Sequence, residues 1–94
     1  MIVRYYIDLE TDLPHIYRHD VSESEAEEVL ERPAEDRPGT DGTRVALGQT
    51  IGGRFLRVIY VSDPEPNSVF VITAYELRGN ALLAYRRRRR RKQR

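Results

Sequence analysis

The spacing of apolar residues in the first third of the chain predicts one strand followed by two helices. Residues 2–9 are rich in β-branched and aromatic side chains that alternate imperfectly with polar ones, which predicts a strand at a sheet edge. Helical spacing then begins, with Pro14 acceptable in the first turn of a short helix. Ser22 and Glu25 have the spacing of a capping box, so they start a second helix, and Pro33 ends it.

The pattern in the rest of the chain changes to a period of two. Residues 32–42 are rich in proline and glycine and predict a loop joining two halves. Three strand-like runs follow, at residues 43–49, 54–62 and 68–77, and predict an antiparallel meander. The middle run is largely apolar on both faces, so its strand should be central. A final helix is expected from about residue 80 to residue 90.

This order of elements predicts an α+β fold. We expect a small antiparallel sheet, made of the N-terminal strand and the three-stranded meander, with the N-terminal helices and the C-terminal helix on one face. A chain of 94 residues supports one domain. We therefore divide it into a single α+β domain, residues 1–85, and a basic C-terminal tail, residues 86–94.

The composition of the chain excludes several kinds of site and indicates where the protein acts. The chain has no cysteine, which excludes disulfides, a thiolate zinc site and a cysteine nucleophile, and fits a reducing cytoplasm. Residues 1–9 carry Arg4 and Asp8 inside the apolar run and do not resemble a signal peptide. No run approaches the roughly 20 apolar residues that cross a bilayer. We expect a cytoplasmic protein with no membrane partner.

The net charge of +1 hides an uneven distribution. Residues 1–85 carry a net charge of −7, whereas residues 86–94 carry +8. Acidic residues crowd residues 23–36, while residues 43–60 contain three arginines and no acid. A polyanion would approach the second region and avoid the first.

Three segments carry a resemblance to known toxins. They are residues 14–22 (PHIYRHDVS), residues 48–58 (GQTIGGRFLRV) and residues 71–77 (VITAYEL). The order and spacing of these segments resemble those of the BrnT-type toxins and, more closely, those of a neighbouring uncharacterised domain family. Both belong to the wider RelE-like class. The resemblance spans about residues 13–91 and implies a RelE/BrnT-like fold. It further implies a toxin that cleaves or blocks RNA and is held inactive by a cognate antitoxin encoded beside it.

Four residues are candidates for catalysis. A metal-independent ribonuclease needs a general base, a general acid and a cation that stabilises the phosphorane. His15 and His19 are four residues apart, and imidazole is a side chain that transfers protons near neutral pH, whereas the alternative is that the two histidines only begin and end a helix. Arg57 lies mid-strand, where it grips phosphate, pairs with Glu76, or lays its stem over the sheet with its head in water. Tyr75, like Tyr85, stacks on a base or donates a proton, or else it only packs its ring and leaves the hydroxyl in water.

Arginines supply the candidate contacts to nucleic acid. Arg44, Arg54 and Arg57 would grip a phosphate backbone if they faced solvent together. The basic tail would neutralise several phosphates with little sequence preference. Its alternatives are binding to an acidic protein, including the glutamate-rich helix of another copy, or favourable charges at a helix end. The candidate tail residues are Arg86, Arg87, Arg88, Arg89, Arg90, Arg91 and Lys92.

The leading functional hypothesis is the toxin component of a type II toxin-antitoxin system, acting as a metal-independent endoribonuclease. We expect no cofactor and no metal, since no third ligand is spaced near His15 and His19. RNA and an antitoxin are the expected partners, and a homodimer is a further option. The alternative function is a non-catalytic module that binds nucleic acid or a partner through its basic tail. A third hypothesis is a scaffold that only pairs with the product of an adjacent gene.

Overall fold

Five strands, two α-helices and one 3-10 helix form residues 1–92, the part of the chain that the computed structural model describes. Residues 93–94, which belong to the predicted basic tail, lie outside the described residues. The elements in chain order are β1 (Ile2–Tyr5), the 3-10 helix (His15–His19), α1 (Glu23–Glu31), β2 (Glu35–Pro38), β3 (Arg44–Gln49), β4 (Phe55–Ser62), β5 (Ser68–Glu76) and α2 (Gly79–Lys92).

The strands form one mixed sheet in the order β1-β5-β4-β3-β2. The α+β class, the meander, the central β4 and the edge position of β1 are confirmed. The prediction of a purely antiparallel sheet is wrong, because β1 pairs with β5 in parallel. The connection from β1 passes through two helices and three strands before β5, so the chain can return in either direction. Nothing within residues 2–5 encodes that direction.

A short edge strand, β2, replaces part of the loop predicted for residues 32–42. Glu35 and Asp36 pair with Leu47 and Ala46 of β3 in antiparallel register. Three charged residues followed by Pro38 have little strand propensity, but an edge strand tolerates proline. Tertiary pairing with β3 therefore overrides the local preference for a turn.

The sheet is covered on both faces, not on one as predicted. Leu56 and Val58 of β4 join the main core with Val29 of α1, whereas Leu47 and Phe55 pack with α2. Successive residues of a strand point to opposite faces, so α1 and α2 lie on opposite sides of the sheet. The α2 helix covers one end of its face, and the β4 positions beyond Phe55 on that face remain only half-buried.

Local sequence signals explain where α1 begins and how closely it packs. The Ser22 side chain accepts a hydrogen bond from the Glu25 backbone, and Glu25 caps the Ser22 backbone in return, as predicted. A Cβ atom added to Gly48 of β3 would lie 3.3 Å from a methyl carbon of Val29. Glycine at this position lets α1 approach the sheet. None of the helices within residues 1–92 is long and apolar enough to cross a membrane.

Candidate functional site

The four predicted catalytic residues lie together where the 3-10 helix packs against β5, next to the central strand β4. The His15 and His19 rings are 5.4 Å apart between centroids, and His19 is 5.8 Å from Tyr75. Arg57 lies directly opposite Tyr75 on the neighbouring strand, and its guanidinium is 5.9 Å from the Tyr75 ring centroid. We call these four residues the edge cluster. The 3-10 helix brings both imidazoles there because it packs against β5.

A carboxylate orients His15. The Nδ1 atom of His15 lies 3.0 Å from Oδ1 of Asp8, and Arg18 Nε donates to the other oxygen at 2.6 Å. Burial raises the pKa of Asp8, but the hydrogen bonds from His15 and Arg18 outweigh it and hold that pKa below its ordinary value. An ionised carboxylate only accepts hydrogen bonds, so His15 carries its hydrogen on Nδ1. In a neutral imidazole with this tautomer the Nε2 atom is the acceptor, as a general base requires.

In the described part of the chain, the Arg57 side chain makes one hydrogen bond and leaves another of its polar atoms unpaired. Its Nη1 atom donates to the Tyr75 hydroxyl at 3.3 Å. Its Nε atom is buried and has no hydrogen-bond partner within residues 1–92. Glu76, the partner considered from sequence, instead lies near Arg54 and Arg78. A half-buried guanidinium without a carboxylate partner is available to an anion.

Arg44 and Arg54 do not join Arg57. Arg54 lies on the α1 side of the sheet, where its Nη1 atom donates to both carboxylate oxygens of Glu25, at 2.8 and 2.9 Å. Arg44 Nε donates to Asp36 at 3.0 Å, and Tyr60 donates to the same carboxylate. The three arginines predicted to grip phosphate together are therefore on opposite faces. The physical reason is register: residues 44 and 54 share a face with the core of α1, and residue 57 does not.

The basic tail is continuous with α2 up to Lys92, so the predicted boundary at residue 85 falls inside a helix. Three of its arginines contact the rest of the protein. Arg88 donates to both carboxylate oxygens of Glu35, at 2.8 and 3.0 Å, and Arg89 donates to the Ala34 carbonyl. Arg86 lies over the Phe55 ring, 5.0 Å from its centroid. The exposed cations of α2 are Arg86, Arg87, Arg90, Arg91 and Lys92.

Two residues of this region were not predicted from sequence as functional. Asp8 was seen only as an acid in the first strand, and Tyr6, whose ring is 5.9 Å from His15, was not considered. Both lie on the far side of an irregular turn from His15, so no local spacing signals the contact. Among residues 1–92, no group of three or more His, Cys, Asp or Glu side chains is arranged to hold a metal ion.

Comparison with known protein families identifies a match over most of the chain. Residues 16–76 match the family described as Domain of unknown function (DUF4258). The chain belongs to the DUF4258 family. The predicted resemblance to an uncharacterised domain family is confirmed in this form. The DUF4258 segment includes His19, Arg57 and Tyr75 of the edge cluster and excludes His15 and α2. No curated protein matches the chain, and no solved structure does.

Proposed function

We propose that this protein is a BrnT/RelE-like toxin component that cleaves RNA in the cytoplasm without a metal ion. The observation that carries the proposal is the edge cluster itself. Two imidazoles, a phenol and a guanidinium lie in consecutive contact, and Asp8 orients one of the imidazoles. These are the side chains that transesterification of RNA requires.

The reaction follows from the chemistry of these groups. An imidazole removes the proton from the ribose 2′-hydroxyl, and the 2′-oxygen attacks the adjacent phosphorus. The bond from phosphorus to the 5′-oxygen breaks, and a general acid protonates that oxygen. The products are a 2′,3′-cyclic phosphate and a 5′-hydroxyl, and no cofactor or oxidant is consumed.

The roles of the residues follow from their placement. Arg57 stabilises the negative charge that develops on the phosphorane, because it is the guanidinium in the cluster that lacks a carboxylate partner. His19 lies between His15 and Tyr75 and is exposed, so it reaches the scissile group directly. His15 is the oriented base, and Tyr75 supports the site by holding Arg57.

The test is cleavage of a labelled RNA by the purified protein in EDTA. We expect products with cyclic phosphate ends, and a loss of at least about 100-fold in rate for His19→Ala or Arg57→Met, the contribution typical of an acid-base or charge-stabilising group. Arg78→Gln is the matched control, because this arginine is 82% exposed and lies outside the edge cluster. Cleavage that survives both cluster substitutions would come from a contaminating nuclease and would contradict the proposal.

A second function, a non-catalytic module that binds nucleic acid, is favoured by the exposed cations of α2. Replacing Arg87 and Arg91 by glutamine should flatten the salt dependence of RNA binding, by about 0.7 in logarithmic slope for each phosphate that the protein then leaves unneutralised. A binding module would show this change and leave the RNA intact. The proposed enzyme would retain its cleavage chemistry in the same variant. A gene for a small antitoxin beside this one would favour the toxin over both alternatives.

A further inference from the structure

A cavity of about 590 Å³ lies between α2 and one end of the sheet, on the same face as Arg57. Its arginines are Arg32, Arg86, Arg89 and Arg90, and its aromatic side chains are Phe55 and Tyr85. The volume falls in the range of about 300–1,000 Å³ that is typical of sites for small molecules. Neither the edge cluster nor the cleavage chemistry uses any of these residues.

The charge of this cavity is unbalanced. None of the side chains that line it is acidic. The nearby carboxylate of Glu35 accepts two hydrogen bonds from Arg88, which neutralises it. Arg89 donates to a backbone carbonyl, Ala34 O, and so keeps its full charge. Such a concentration of guanidinium groups favours an anion, and phosphate suits their geometry best.

The cavity also presents an aromatic surface. Phe55 and Tyr85 pack edge to face with centroids 5.7 Å apart, and Phe55 remains half-buried beneath the Arg86 guanidinium. Aromatic rings and guanidinium planes both stack on nucleobases. The side-chain amide of Gln49 uses one donor on the Gly53 carbonyl, which leaves its carbonyl oxygen and second donor for a base edge.

We propose that this cavity binds one nucleotide, with the base on Phe55 and the phosphate held by Arg90 and by Arg86, whose guanidinium moves off the Phe55 ring to admit the base. Inorganic phosphate would use the arginines and leave the aromatic ring idle, and a nucleoside would do the reverse. A nucleotide uses both surfaces. This binding does not depend on the proposed cleavage activity.

A relation to the edge cluster rests on the proposed function. Phe55 and Arg57 are two positions apart on β4 and face the same side, so they lie about 7 Å apart. That span suits neighbouring nucleotides of one strand. The cavity would then hold the nucleotide next to the one whose phosphate lies at Arg57.

The test is a titration of the full chain, followed by amide NMR, with adenosine 5′-phosphate, uridine 5′-phosphate, adenosine and inorganic phosphate. We expect either nucleotide to bind at least about tenfold more tightly than adenosine or phosphate, with shifts at Gln49, Phe55 and Tyr85. Equal affinity for inorganic phosphate and nucleotide would overturn the proposal, and so would the absence of binding.

Two substitutions test the residues. Arg86→Gln should weaken nucleotide binding about tenfold, the loss expected for one charge-assisted hydrogen bond. The control Arg78→Gln removes the same charge from an arginine that is 82% exposed and does not line the cavity, and should not change the affinity. Phe55→Leu should abolish the preference for nucleotide over phosphate. An equal loss in the Arg86 and Arg78 variants would mean diffuse charge attraction and would overturn the proposal.

A 2′-O-methyl oligoribonucleotide, which lacks the attacking hydroxyl, distinguishes the source of the nucleotide. Tighter binding of the oligonucleotide than of the mononucleotide would assign the cavity to an RNA chain, and equal binding would assign it to a free nucleotide. Either result supports the site. RNA cleavage without nucleotide binding would overturn only the proposed nucleotide site. Nucleotide binding without RNA cleavage would overturn only the proposed function.

Discussion

Arg57 and Tyr75 lie directly opposite each other on β4 and β5, and the Arg57 Nη1 atom donates to the Tyr75 hydroxyl at 3.3 Å. The arginine has no carboxylate partner there, and its Nε atom is buried without a hydrogen bond in the described part of the chain. A guanidinium so placed adds little to folding. The anion-binding role that we propose for Arg57 would account for its presence mid-strand.

Arg57→Met should therefore separate stability from function. Methionine keeps most of the apolar stem and removes the unpartnered polar atom, so the free energy of unfolding should stay the same or rise by about 1 kcal/mol. RNA affinity and cleavage should both fall. Urea denaturation measures the first quantity. A loss of stability greater than about 1 kcal/mol would mean that Arg57 is chiefly structural.

Substitution of Arg54, unlike that of Arg57, should lower stability and leave RNA cleavage unchanged. It donates to both oxygens of Glu25 and to the Asp20 carbonyl, which links the start of α1 to the sheet. Arg54→Gln should lower the free energy of unfolding by about 1 kcal/mol, since the pair is partly exposed and screened by solvent. RNA cleavage should be unchanged at temperatures where the variant is folded. A selective loss of cleavage would restore the phosphate-binding role predicted from sequence.

The Glu35–Arg88 pair should make the docking of α2 dependent on pH. The hydrogen bonds from Arg88 hold the pKa of Glu35 below its ordinary value of 4.5 despite partial burial, and nearby Arg37 and Lys92 add to this effect. A carboxyl whose pKa is lowered by folding stabilises the protein above its unfolded pKa and ceases to do so as pH falls through the folded value.

Glu35→Gln should therefore be less stable than the natural chain at pH 7, by up to about 1 kcal/mol because the Arg88 side chain is 37% exposed and the pair is partly screened by solvent. The difference between the two proteins should shrink as the pH falls below 4.5. Hydrogen exchange of the α2 amides reports the docking directly. A difference in stability that stays constant from pH 7 to pH 3 would show that the pair contributes through packing instead of charge.

Gly48 tests how closely α1 lies on the sheet. Gly48→Ala would place a methyl group 3.3 Å from Val29 and 3.6 Å from two backbone atoms, Ala34 N and Arg32 O. We expect a loss of about 1–3 kcal/mol in the free energy of unfolding, because a packed interface must move. Gly52→Ala, in the turn before β4, meets nothing closer than 3.9 Å and should be close to neutral. Equal effects of the two substitutions would contradict this packing.

Sequence patterns predicted the elements whose signals are local. The Ser22–Glu25 capping box gave the start of α1, and the apolar pattern on both sides of residues 55–61 gave the central strand. Long-range pairing was missed. The parallel direction of β1 depends on where a distant strand lies, and β2 forms because β3 offers an open edge, although its own residues favour a turn.

Part of the candidate site was predicted from sequence, and part of it was missed. Residue type and spacing identified His15, His19, Arg57 and Tyr75, and the fold brings these four together. The grouping of Arg44 and Arg54 with Arg57 failed because the face of the sheet to which an arginine points depends on strand register. The cavity under α2 combines residues from four separate segments, and no sequence pattern marks it.

The central claim is that the edge cluster cleaves RNA without a metal ion. The most direct measurement is the single-turnover rate of cleavage of a defined RNA in EDTA, compared among the natural chain and the variants His19→Ala, Arg57→Met and Arg78→Gln. We predict cyclic phosphate products from the natural chain and from the Arg78 variant, and losses of at least about 100-fold in the other two. RNA that stays intact with the natural chain, or cleavage that does not depend on His19 and Arg57, would contradict the account.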